Sequence, residues 1–249
     1  MATRPVYLSV CLSLCRALAA ITSTLHYTLL RTGIIKAPGW FTIVSPGRFK
    51  NCQSIWCARI TRRFISVSVR SIFRKDVIRL VDPDIQFPQD SGCVVVVCHT
   101  PWKRLLIQSC MDKLDTLIIA NGHWIPKRKH LQNRGAGFTE LKKAVDHLNH
   151  KGRIFITADV FNESKDCPVN FLGKDRNLSL LPVRLSRAAN VPLLMVIPVF
   201  CGNAVRFIKG PYLKPQDNAG DSFSVMRNLI YYLESEIKKD PSIWPEYVG

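Results

Sequence analysis

The stretch VVVVCHTPWKRLL, residues 94–106, carries a histidine where a strand gives way to a helix. Four valines and a cysteine predict a buried strand, and Thr100 followed by Pro101 is typical of a helix start with Thr100 as its cap. His99 would then lie at the carboxyl end of a strand, where a neutral imidazole can take the proton of a substrate hydroxyl. The alternative is a histidine that ends a strand and only bonds to a loop.

The elements around this histidine predict its setting. Apolar runs predict strands at Val94–Cys98, Leu117–Ala120, Ile154–Ala158, Leu193–Phe200 and Val205–Ile208. Amphipathic patterns predict helices over Thr139–His150, Pro182–Ala189 and Ser222–Lys239, with Gly152 and Asn190 as stops after the first two. This alternation predicts an α/β fold, a mainly parallel sheet flanked by helices. In such sheets chemistry collects at the carboxyl ends of the strands.

The N-terminal part of the chain does not show this alternation of strands and helices. Residues 5–36 are largely apolar but carry Arg16, His26 and Arg31. Because a membrane span needs about 20 uncharged residues, this pattern favours a helix lying in the membrane interface, or a signal-anchor. A signal peptide is the alternative, since the ALAA of Ala17–Ala20 is typical of a cleavage site.

A basic amphipathic stretch follows at residues 59–79, with seven cations. Beside an apolar anchor it indicates contact with a phospholipid surface, although a solvated charged face is the other interpretation. The chain therefore divides into a membrane-associated region, 1–80, and an α/β domain, 81–249.

The overall charge restricts the partners. The 249 residues hold 35 Lys and Arg against 18 Asp and Glu, a net charge of +17. Such an excess indicates an anionic partner: a phospholipid surface, nucleic acid, or an acidic protein or phosphorylated substrate. Nucleic acid would not explain the apolar N-terminus, and no RNP, KH or finger motif is present, so we expect no nucleic-acid partner. The nine cysteines show neither a C-x-x-C pair nor zinc-ligand spacing, which indicates a reducing compartment and no metal or redox cofactor.

Residues 152–200 carry a family resemblance. The block GRIFITADVFNESKDCPVNFLGKDRNLSLLPVRLSRAANVPLLMVIPVF resembles the lipid A late acyltransferases of the lysophospholipid acyltransferase superfamily, as do LKKAVDHLNHKGR upstream and GPYLKP downstream. The likeness covers most of residues 85–245 and rests on block order and local pattern.

This resemblance implies an activity. It implies a glycerolipid acyltransferase-like fold behind an apolar N-terminal helix, at the cytoplasmic face of a bacterial inner membrane. The reaction would move a fatty acyl group from a thioester of acyl carrier protein or coenzyme A to a hydroxyl of a lipid or glycolipid acceptor, such as one in lipopolysaccharide biosynthesis.

The family's signature is a histidine followed, after four residues, by Asp or Glu. His99 matches the histidine, but Arg104 takes the place of the acid. A guanidinium cannot accept a hydrogen bond from the imidazole, and its charge opposes protonation of His99. Three interpretations follow. Asp159, which ends the TAD strand, orients His99 instead; or Arg104, with Lys103 beside it, holds a substrate phosphate or carboxylate; or the chain is a non-catalytic relative that binds lipid or glycan.

Two further sets of residues could contribute to a site. Arg134, in QNRGAGF, resembles a family arginine that precedes a glycine and lies near the substrate phosphate or the oxyanion; its alternative is a loop cation. His147 and His150 lie three apart on a predicted helix. Polar neighbours surround them, so we interpret them as part of a solvated face rather than as ligands.

Overall fold

The protein was analysed as a computed structural model. It describes residues 13–14, 17–18, 20–22, 24–25, 28–29, 60, 87–88, 90–98, 100, 103, 106–107, 110, 115–119, 130–131, 138–157, 167–201, 204–217, 220–240 and 243. The basic stretch at residues 59–79 therefore lies outside the described residues, apart from Ile60. The division at residue 80 remains a prediction.

Strands alternate with helices along the described chain. The strands are β1 (Cys93–Val97), β2 (Thr116–Ile119), β3 (His130–Leu131), β4 (Arg153–Thr157), β5 (Cys167–Phe171), β6 (Lys174–Leu178), β7 (Leu193–Cys201) and β8 (Ala204–Leu213). The helices with defined bounds are α1 (Phe138–Asn149), α2 (Leu181–Ala188) and α3 (Ser222–Lys239). Each strand and helix predicted between residues 94 and 239 is confirmed; α3 has the predicted ends, and the bounds of the others differ from the prediction.

Within the described residues, the main sheet has six strands in the order β3-β2-β4-β1-β7-β8. The first five of these described strands run parallel, and β8 pairs antiparallel with β7. The structure thus has the mainly parallel sheet that the alternating pattern predicts. β1 lies between β4 and β7, and all five of its residues are buried, as expected for a strand covered on both faces.

The two faces of β1 pack into two separate layers. Val94 and Val96 join the larger core, to which α1, α2 and α3 contribute. Val95 and Val97 face the other way and pack with Leu106, which lies in a helical segment after β1. Successive strand residues point to opposite faces, so this one apolar run supplies both cores.

A hairpin of β5 and β6 was not among the predicted elements. It forms a separate two-stranded antiparallel sheet against α3. Leu172 and Gly173 turn the chain with φ of 50° and 75°, the positive values that a tight hairpin turn of this hand requires. The hydrophobic pattern does not predict this hairpin, because the strand Lys174–Leu178 is mostly polar and Leu178 is its one fully buried residue.

The helix ends correct one prediction and confirm another. Asn190 has a φ of 51°, so it ends α2 as predicted. After α1 the left-handed residue is Lys151, with a φ of 63°, and the prediction of Gly152 as the stop is wrong. Gly152 instead lies against the imidazole of His147, where a Cβ would collide with the ring.

Asp221 begins α3. Its carboxylate accepts hydrogen bonds from the backbone N–H groups of Phe223 and Ser224, both at 3.2 Å. The bond from Phe223 is the main reason why the pKa of Asp221 is lowered from its ordinary value. This cap fixes where the longest described helix begins.

Cys93 provides a pH-dependent test of the core. Its thiol is fully buried at the start of β1, and burial raises its pKa from 9.0 to about 12. The folded protein holds this proton more tightly than the unfolded chain does. The protonated thiol therefore contributes fully to the free energy of unfolding below pH 9, and this contribution is lost between about pH 9 and 12. We expect the free energy of unfolding of the wild type to fall over that range relative to Cys93→Ala, by up to about 1.4 kcal/mol per pH unit. Parallel denaturant titrations of the two proteins measure this, and identical slopes would contradict it.

The described N-terminal residues, between 13 and 29, are helical. Leu14, Leu18, Ile21 and Leu25 are 53–66% exposed, and at 100° per residue they fall within about 60° of the helix circumference. The hydroxyls of Thr22, Thr24 and Thr28 each donate to the carbonyl four residues earlier. Within the part of the chain that the structure describes, no helix has the length and apolarity needed to cross a membrane.

Candidate active site

The carboxyl ends of β1 and β4 meet at one edge of the sheet, beside β7. Val97, the last residue of β1, pairs with Thr157 at the end of β4 and with Val196 of β7. Thr157 is 7% exposed and lies on the same side of the sheet as Val97, because paired residues of parallel strands project to the same face. This edge is the location that the sequence predicts for the site.

The chain turns from strand to helix directly after β1. The N–H of Thr100 donates to the carbonyl of Cys98 at 2.7 Å, and the N–H of Lys103 donates to the carbonyl of Thr100 at 3.3 Å. Lys103 is helical, and Leu106 and Ile107 further along are buried beneath the sheet. The predicted strand-to-helix transition is therefore confirmed at the described positions.

The side chain of Thr100 does not cap this helix. Its hydroxyl is buried and has no hydrogen-bond partner, although the residue is only 6% exposed. The prediction that Thr100 is the side-chain cap is wrong in that respect. A hydroxyl buried without a partner costs about 1–3 kcal/mol, so this group calls for an explanation.

Most of the predicted site residues fall outside the described residues. These are His99, Arg104, Arg134 and Asp159. Lys103 is described, and it lies half-buried in the helical segment that follows β1. The structure does pair two residues that precede them in sequence: Val97, two residues before His99, lies opposite Thr157, two residues before Asp159.

His147 and His150 lie at the other end of the sheet, near the start of β4. The Nδ1 atom of His147 is 3.7 Å from a carboxylate oxygen of Asp115, and its side chain is 13% exposed. The interpretation of His147 as part of a solvated face is therefore wrong, because the ring packs on Gly152. His150 is exposed as expected, and its Nδ1 lies 2.7 Å from the carbonyl oxygen of Asp146.

Thr100 and Thr157 are polar groups that sequence reasoning did not assign to the site. Both are buried beside the carboxyl edge. The available signal was a threonine that ends an apolar strand in RIFIT and one that follows an apolar strand by three residues in VVVVCHT. A threonine in that position is also an ordinary strand or cap residue, so only the burial and partners of its hydroxyl separate the two roles.

Comparison with known proteins gives a likeness in structure and none in sequence. No protein-family model matches this sequence, and no curated protein matches it either. Among solved structures, the chain is similar to the crystal structure of the 1-acyl-sn-glycerophosphate acyltransferase PlsC from Thermotoga maritima, with 14% sequence identity and a TM-score of 0.43. The match covers 90% of this chain and 97% of that one.

Proposed function

We propose that this protein is an O-acyltransferase that moves a fatty acyl group from a thioester to a hydroxyl of a lipid or glycolipid acceptor. The observation that carries the proposal is the pairing of Val97 with Thr157. His99 follows the first of these by two residues and Asp159 follows the second by two. Consecutive Cα atoms are about 3.8 Å apart. The Cα atom of His99 therefore lies within about 8 Å of that of Val97, and the Cα atom of Asp159 within about 8 Å of that of Thr157.

The chemistry assigns one role to each of these side chains. The neutral imidazole of His99 takes the proton of the acceptor hydroxyl as its oxygen attacks the thioester carbonyl carbon. The carbonyl electron pair moves to oxygen, and when the tetrahedral intermediate collapses the C–S bond breaks. The departing thiolate then takes the proton from the imidazolium. In this proposal the carboxylate of Asp159 accepts the other imidazole N–H, in place of the acid that Arg104 replaces.

Lys103, Arg104 and Arg134 are proposed to hold the anionic parts of the substrates. Lys103 and Arg104 directly follow the turn after β1, and Arg134 lies further along the chain. Arginine suits this role because its planar guanidinium binds phosphate or carboxylate through two hydrogen bonds. An acidic acyl carrier protein or the phosphates of coenzyme A would both meet a chain with a net charge of +17.

Thiol release tests the proposed reaction. We would incubate the purified full-length chain with acyl carrier protein and coenzyme A thioesters and a lipid acceptor, and measure free thiol and acylated product. Release that depends on the acceptor supports transfer. The replacement of the family acid by Arg104 favours a second candidate, a lipid- or glycan-binding relative without catalysis. Binding of acceptor lipid with no thiol release from either donor would identify that second function.

We also propose that the N-terminal helix binds an anionic phospholipid surface, at the cytoplasmic face of a bacterial inner membrane. The stripe of Leu14, Leu18, Ile21 and Leu25 supports this, because it offers apolar side chains on one face. The threonine hydroxyls bonded within the helix lower the cost of moving it into a less polar surrounding.

A double substitution in this stripe gives the corresponding prediction. We expect Leu18→Ser with Ile21→Ser to weaken binding to vesicles that contain phosphatidylglycerol by roughly tenfold or more, because two apolar side chains leave the interface. Ala20→Ser, about 120° around the helix from the stripe, is the matched control and should bind as the wild type does. Vesicle sedimentation measures both.

The salt dependence gives a further arm of the same experiment. Removing residues 1–40 should leave a weaker binding that salt abolishes, because the cations of residues 59–79 remain. A truncated protein that still sediments fully with vesicles at high salt would contradict the proposed role of the helix.

A further inference from the structure

Hydrogen bonds of its backbone hold Thr100 in position, and its side-chain hydroxyl makes none of them. The residue uses its N–H toward Cys98 and its carbonyl toward Lys103. The hydroxyl oxygen accepts nothing and donates to nothing, although it is buried. A valine of the same shape would fill the position without an unpaired polar group, so stability alone does not explain a threonine.

The position of this hydroxyl relates it to the proposed reaction. Thr100 lies immediately after His99 and three residues past Val97, at the edge where β1 and β4 end together. Buried residues of the following helical segment, Leu106 and Ile107, fix the segment against the sheet. The main chain of Thr100 is therefore fixed on a well-packed support, one residue after the predicted general base in the sequence.

We propose that the Thr100 hydroxyl donates a hydrogen bond to the thioester oxygen as that oxygen gains negative charge. This inference rests on the proposed acyl transfer. The hydroxyl forms and breaks no covalent bond. It stabilises the thioester oxygen while the carbonyl electron pair resides on that oxygen. The hydrogen bond weakens again when the electron pair re-forms the carbonyl and the thiolate leaves. Protein atoms cover the hydroxyl, so the thioester must displace part of that cover to reach it. A donor held ready in a site that excludes water stabilises such an oxyanion strongly.

Three substitutions of Thr100 test this role. Thr100→Val keeps the shape and removes the donor, Thr100→Ser keeps the donor, and Thr100→Ala removes the donor in a smaller side chain that serves if the valine protein does not fold. We expect Thr100→Val to lower kcat roughly 100-fold, in the range measured for the loss of one oxyanion donor. KM should stay nearly unchanged, because the bond forms only in the transition state. Thr100→Ser should keep kcat within several-fold of the wild type.

The stability of the same proteins separates a catalytic role from a structural one. We expect Thr100→Val to unfold at the same denaturant concentration as the wild type or at a higher one, since it removes an unpaired buried hydroxyl. Full kcat in Thr100→Val would overturn the inference, as would a raised KM with unchanged kcat, which would indicate binding of the ground state. Failure of the proposed function looks different: the wild type itself would then release no thiol.

Discussion

His99→Ala should lower acyl transfer by roughly 10²–10⁴-fold, the usual effect of removing a general base. Without the imidazole, the acceptor hydroxyl must lose its proton to water while it attacks the thioester carbonyl. The protein should remain folded, because the buried residues of β1, Cys93–Val97, are unchanged in this variant. Thiol release under saturating thioester measures the effect.

A second histidine of the same chain provides the control. His150 is exposed after the end of α1, and His150→Ala should leave turnover unchanged. Asp159→Asn in the same assay should lower kcat separately if its carboxylate orients His99. Unchanged turnover in His99→Ala would remove this residue from the mechanism and favour the binding function that the arginine at position 104 already suggests.

Gly92→Ala should lower the free energy of unfolding by about 3 kcal/mol, at the upper end of the usual cost of overpacking. Gly92 immediately precedes β1, and a Cβ there would collide with the carbonyl oxygen of Leu148 near the end of α1. The same Cβ would lie 2.9 Å from the carbonyl carbon of Leu148 and 3.0 Å from the carbonyl oxygen of Gly152. These are backbone atoms, so the clash can be relieved only by moving the helix end away from the central strand.

Two other glycines provide comparisons for the loss of stability expected in Gly92→Ala. At Gly220 a Cβ would meet nothing within 4 Å, so Gly220→Ala should be neutral or slightly stabilising. At Gly152 a Cβ would meet the imidazole of His147, a side chain, and the cost should be intermediate. Thermal unfolding measures all three, and for Gly92→Ala we expect the midpoint to fall by roughly 6–12 °C. Equal midpoints for Gly92→Ala and Gly220→Ala would show that α1 and β1 do not approach as closely as the structure has them.

Local pattern was enough to predict the elements of the α/β sheet. VVVV before His99 and RIFIT before Asp159 are apolar runs, and the apolar repeat of Ser222–Lys239 matches α3 at both ends. The reason is that burial imposes a period on the sequence, which the sequence then displays. The hairpin of β5 and β6 was not predicted because only four of its ten strand residues are buried, so its polar and charged positions outweigh its apolar ones.

The contacts between distant segments were decided only by the tertiary structure. The sequence indicates a strand before His99 and another before Asp159, but the pairing of Val97 with Thr157 depends on the order of strands in the sheet. The approach of Gly92 to Leu148 and the unpaired hydroxyl of Thr100 are likewise absent from any local pattern. A threonine before a proline is typical of a cap, and that reading failed because a hydroxyl's partner is set by the atoms that packing brings to it, many of which lie far along the chain.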